Sequence, residues 1–233
     1  MSLTDLPPCR LTASVPSRRG WELWRARYES AIVHILVGEG TDDEASGSAF
    51  HIGHGILATA GHNIVRTDGD RYSTTLLGTH SDVAVVRTEA SWKHGDGPDV
   101  GAIEVSTTKR MPSIPTQYRL PEVGEAVAAI GFPTIPCRDK THVMHTGTVE
   151  ALPVCYRTKQ RFIQVSFQSG GGMSGGCLID RAGFVIGIMV ENVFMTQGEG
   201  VPSKAYGQAI PIECFDDAFP RLWVNGKLEV EKP

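Results

Sequence analysis

After position 30 the chain is a succession of short β-branched runs broken by Gly-bearing turns, with almost no helical periodicity. The first set is AIVHILV (31–37), SAFHI (48–52), GILATA (55–60), YSTTLLG (72–78) and DVAVVRT (82–88). The loop SWKHGDGPDVG (91–101) and the Pro-bearing stretch 110–116 then read as a boundary. A second set follows: EAVAAIGF (125–132), HVMHTGTVEAL (142–152), RFIQVSF (161–167), CLID (177–180), FVIGIMVEN (184–192) and YGQAIPI (206–212). Short strands with recurring turn signals predict an all-β architecture of sandwiches or barrels. Two sets around one linker predict two small barrels, over 31–110 and 111–212. Residues 1–30 read as an arm and a short helix, in which Trp21, Trp24 and Tyr28 share one face at i, i+3, i+7 and are expected to pack on the body. Residues 213–233 read as a tail opening with a short closing helix.

Composition narrows the function classes. Lys and Arg number 22 against 26 Asp and Glu, a net charge of −4, which disfavours nucleic acid or an anionic membrane as the main partner. No apolar run reaches the ~20 residues that span a bilayer. Five scattered Cys make no disulfide framework, and no apolar leader segment is visible, so a cytoplasmic, reduced protein is the expectation.

Three islands carry potential chemistry: ATAGH ending at His62, HSDVAVV containing Asp82, and QSGGGMSGG centred on Ser174. Each is weak alone. Together their order is informative. Gly172-Met173-Ser174-Gly175-Gly176 fits the G-x-S-x-G elbow, but that elbow needs its His downstream, and all eight His precede Ser174. An Asp-His-Ser order could formally use Asp42 or Asp43, yet helix-poor β patterning fits it badly. The order His, Asp, Ser remains.

On these residues the chain resembles the trypsin-like serine peptidases of the chymotrypsin fold, with bacterial HtrA/Deg-type catalytic domains most similar. The resemblance runs over about residues 30–213. It rests on GSAFHIGHGILATAGHNI (47–64), SDVAVV (81–86), AVAAIGFP (126–133), TGTVEAL (146–152), SGGGMSGGCLID (169–180) and GQAIPI (207–212). It implies two antiparallel barrels of the six-stranded type and a serine endopeptidase that needs no cofactor. It also assigns roles. Ser174 is the nucleophile, His62 the general base and then acid, and Asp82 the carboxylate that orients the imidazole. The N–H groups of Gly172 and Ser174 form the oxyanion hole. Gln168, Asn192 and Gly207 border the primary substrate pocket, with Gly207 leaving it open and no acid at its base. A medium or polar P1 residue is the expectation, with protein or peptide as substrate and a separate regulatory protein as a candidate partner.

The chain also departs from the family pattern. Met173 stands where secreted trypsins carry the Asp that pairs with a freed N-terminus, so activation by N-terminal insertion is not expected. Cys177 replaces a usual Pro and reads as a small buried residue. Cys137, His142, His145 and Cys155 cluster in sequence, but their spacing is irregular and His142 and His145 fall on opposite strand faces, so no metal is expected. Only 21 residues follow Ile212, too few for a regulatory PDZ module. The competing readings are a catalytically silent trypsin-like module that binds a peptide or partner, and an esterase variant of the same site.

Overall fold

The computed structural model describes residues 18–42, 44–65, 70–77, 83–91, 97–107, 111–134, 141–196 and 202–220. Side chains of 18–19 and 191–205 lie outside that description. After helix α1 (Arg18–Tyr28), the first β unit holds β1 (Ile32–Val37), β2 (Ala45–Gly53), β3 (Ile56–Thr59), β4 (Thr74–Leu77), β5 (Val83–Ala90) and β6 (Gly101–Thr107). They form one antiparallel sheet in the order β4-β1-β2-β3-β6-β5. The second unit holds β7 (Ala126–Gly131), β8 (Val143–Ala151), β9 (Ile163–Val165), β10 (Cys177–Ile179), β11 (Val185–Thr196) and β12 (Pro202–Pro211). It closes into a barrel in the order β10-β11-β12-β9-β8-β7. Helix α2 (Glu213–Ala218) follows.

One strand differs from the sequence reading. Residues 101–107, assigned there to the loop and boundary, form β6, which pairs with both β3 and β5. Its sequence GAIEVST supplies the reason: Ala102, Ile103 and Val105 are buried, while positions 104, 106 and 107 open toward solvent.

Period-2 alternation builds three cores from two barrels. Val33, Ile35 and Val37 fill the first unit, and Val127, Ala129 and Leu178 fill the second. The neighbours Ile32, Ala128, Ile130, Cys177 and Ile179 point the other way into a third core, which also takes Phe50, Ala58, Ile188 and Ile210. That core lies between the barrels and fastens them together. The link between them belongs to it. Ile114 is fully buried there, its N–H donates to His51 O, and Thr116 bridges Val185. The α1 stripe packs on the body: Trp24 and Tyr28 stack at 5.5 Å, with Trp24 Nε1 donating to Arg181 O and Tyr28 OH to Gly183 O. Gly183, at φ +84°, accepts the indole where any Cβ would lie 2.7 Å from it.

Candidate active site

His62 sits on a single 3-10 turn, Gly61–Asn63, directly beyond the end of β3. The last pair of the β3–β6 ladder is Thr59 with Gly101, so the segment entering β6 arrives beside that turn. Asp99 lies on this segment. Its Oδ1 accepts the His62 backbone N–H at 2.8 Å, and its Oδ2 lies 2.6 Å from His62 Nδ1. The carboxylate thus fixes both the turn and the ring, and favours the tautomer that protonates Nδ1 and leaves Nε2 as a base.

Asp82, the carboxylate expected from the sequence, lies outside the described residues. Its neighbour Val83 pairs with Thr107, at the opposite end of β6 from Gly101. At ~3.4 Å per residue the six intervening steps span about 20 Å. The missed residue had a legible signal. DVGAIEV (99–105) repeats the Asp-Val-x-x pattern of DVAVVRT (82–88), and its Asp immediately precedes the strand that pairs with β3.

Ser174 stands in a turn at the junction of the barrels. Its carbonyl accepts the Ser48 N–H at 2.8 Å and Asn63 Nδ2 at 3.0 Å, so the nucleophile loop is tied to the residue next to His62. Gly175 and Gly176 permit this closeness. A Cβ on Gly175 would lie 2.0 Å from Ser48 O, at φ +85°. The Ser174 hydroxyl donates to Val190 O at 2.9 Å. Val190 is free to receive it because the β11–β12 register shifts between Met189 and Glu191. Such a bulge turns one residue out of the ladder.

The N–H groups expected to form an oxyanion hole are arranged by what surrounds them. Gly171 O accepts the Thr134 N–H at 2.6 Å, and a trans peptide then turns the Gly172 N–H to the other side. Gly172 is at φ +87°, with Phe132 O only 2.4 Å from where a Cβ would sit. Among the described residues the N–H groups of Gly172 and Ser174 have no protein acceptor. Met173 between them is fully buried in the second-barrel core, so the loop is plugged by an apolar side chain instead of an ion pair.

The three residues expected at the primary pocket are neighbours. Gly207 pairs with Asn192 across β11–β12, and its N–H donates to Phe167 O, the residue before the exposed Gln168. A Cβ on Gly207 would lie 2.9 Å from Phe167 O, 3.1 Å from Val165 Cγ2 and 3.2 Å from Met189 Cε, the last two being side chains buried in the second-barrel core. On the other side of Gly172 lies a cleft of about 400 Å³, lined by Leu36, Glu44, Ala45, Ser46, Thr134 and Gly171.

The histidines and cysteines once weighed as a metal cluster are dispersed in purpose. His142 accepts from Arg25 Nε at 3.2 Å and packs edge-on to Phe132, whereas His145 stacks on Phe167 at 5.9 Å. Cys137 lies outside the described residues. Cys177 is fully buried between the barrels, and burial pushes its thiol up to about 12.

Comparison with known proteins places the fold and the family. A family model described as a trypsin-like peptidase domain matches residues 47–188. The serine endoprotease DegS of Escherichia coli K12 is 27% identical over 133 residues, covering 56% of this chain and 36% of DegS, so the match spans about a third of that relative. Among solved structures, the serine endoprotease of Yersinia pestis aligns with a TM-score of 0.61 at 22% identity, over 92% of this chain and 70% of that one. The active form of the Rv3671c protease of Mycobacterium tuberculosis aligns at 0.65 and 16%, over 90% and 86%. The fold and the family model therefore define the class, a trypsin-like peptidase domain with a chymotrypsin-like fold. The chain belongs to the trypsin-like peptidase domain family.

Proposed function

We propose that the domain hydrolyses peptide bonds through an acyl-enzyme formed on Ser174, with His62 as the general base and Asp99 as the carboxylate that orients it. The double hold of Asp99 on His62 carries this reading. In the first step the Ser174 hydroxyl leaves Val190 O by rotation about its Cα–Cβ bond and passes its proton to His62. Its oxygen bonds to the scissile carbonyl carbon, and the carbonyl oxygen takes the negative charge toward the N–H groups of Gly172 and Ser174. His62 then returns the proton to the leaving amine, and water repeats the sequence to release the acyl group. The amine-side peptide leaves along the cleft between Leu36 and Gly171. The acyl-side residue faces the stretch around Gln168, Asn192 and Gly207, where Gly207 pairs with Asn192.

The test is labelling by an alkyl fluorophosphonate, read by intact mass. One adduct absent from Ser174→Ala supports the reading, and an unlabelled wild-type chain would point instead to a silent peptide-binding module.

A further inference from the structure

Ser48 belongs to the first barrel, yet its side chain sits inside the loop architecture of the second. The residue is fully buried on β2. Its hydroxyl accepts the Phe132 N–H at 2.8 Å and donates to Gly172 O at 2.7 Å. A hydroxyl has one proton, and these two bonds fix where it points. The Ser48 backbone acts on the same loop. Its N–H holds Ser174 O at 2.8 Å, and its carbonyl accepts the Thr59 hydroxyl at 2.7 Å. The carbonyls following both oxyanion donors are therefore anchored by one residue.

We propose that Ser48 is a positioning residue that presets the oxyanion hole, an inference that rests on Ser174 being the nucleophile. Gly172 has no Cβ to restrict it, and at φ +87° it can rotate at little steric cost. Thr134 fixes the peptide before it through Gly171 O, and Ser48 fixes the peptide after it. With both held, the Gly172 N–H keeps one direction before any substrate arrives. Without the hydroxyl, Gly172 O and the Phe132 N–H lose their buried partner, and the loop gains conformers in which the donor is turned away. Ser48 touches no reacting atom, so its loss weakens stabilisation of the developing oxyanion without altering ground-state binding.

The experiment separates KI from kinact for an alkyl fluorophosphonate on the full chain, for wild type, Ser48→Ala and Ser48→Cys. Folding is followed by thermal unfolding, and exchange of the 168–176 amides by mass spectrometry. The expected result is a kinact about 10- to 100-fold lower in Ser48→Ala, with KI unchanged and faster exchange confined to 168–176. Ser48→Cys keeps the volume with a weaker donor and should fall between; if the Ala variant does not fold, this one decides. A labelled wild type whose folded variants keep its kinact overturns the inference and leaves the nucleophile standing. An unlabelled wild type removes the nucleophile and the inference with it.

Discussion

Asp99 holds His62 at two points, the backbone N–H at 2.8 Å and the ring Nδ1 at 2.6 Å. One carboxylate thereby sets the position of the turn and the orientation of the imidazole. The 36 residues between the two enclose β4 and β5, so the β3–β6 ladder, not chain proximity, brings them together.

Replacing Gly175 by Ala should disrupt the barrel junction. A methyl would lie 2.0 Å from Ser48 O and 2.2 Å from Thr59 Oγ1, at a positive φ. Strain and overpacking together should cost on the order of 3 kcal/mol. Urea unfolding of Gly175→Ala checks this; stability equal to wild type would contradict it.

Arg119 bridges Glu125 and the buried Asp180, bonding the latter at 2.8 Å from the link between the barrels. Arg119→Met keeps the aliphatic stem but takes the partner from Asp180 Oδ2, leaving the carboxylate only the Phe184 N–H on Oδ1. A loss on the order of 2 kcal/mol is expected in chemical denaturation. No loss would show that solvent serves Asp180 equally well.

Stability should fall as the pH drops below about 6.5, the ordinary histidine value. Burial holds His51, His142 and His145 below it. His51 is bonded as a neutral ring, with Nδ1 on Pro112 O and Nε2 accepting the Gly55 N–H. The unfolded chain therefore takes up protons that the folded chain refuses, and stability is full above 6.5 and lost toward the depressed folded values. Unfolding free energies between pH 8 and 5 should show that slope, reduced in His145→Leu. A flat profile would contradict it.

The thiols should differ in reactivity. The Thr158 hydroxyl holds the Cys155 thiol below its usual value, whereas burial pushes Cys177 up to about 12. Iodoacetamide should therefore modify Cys155 in the native protein and Cys177 only on unfolding, as peptide mass mapping would show. Early alkylation of Cys177 would mean that the inter-barrel core opens.

The all-β class and the two barrels were legible because short β-branched runs are broken by Gly-bearing turns, and such runs bury both faces: Val33 and Ile35 face one core and Ile32 another. The short helix was legible from Trp24 and Tyr28. Strand β6 was less so, because Gly, Asp and Pro crowd its entry and drew 91–101 into a single loop. That reading obscured Asp99, since a carboxylate at a supposed boundary carries no role, while Asp82 heads a run of better β-formers. Local pattern cannot distinguish the two Asp-Val runs. Pairing of β6 with β3 brings the Asp99 end of β6 beside His62.

The most direct test compares Asp99→Asn with Asp82→Asn in fluorophosphonate labelling of Ser174. The imidazole tautomer depends on the carboxylate it faces, so Asp99→Asn should slow labelling by about 10⁴-fold, the loss seen when such an Asp is changed in a serine-protease triad, while Asp82→Asn stays within about twofold of wild type. Labelling abolished by Asp82→Asn and retained in Asp99→Asn would contradict the account.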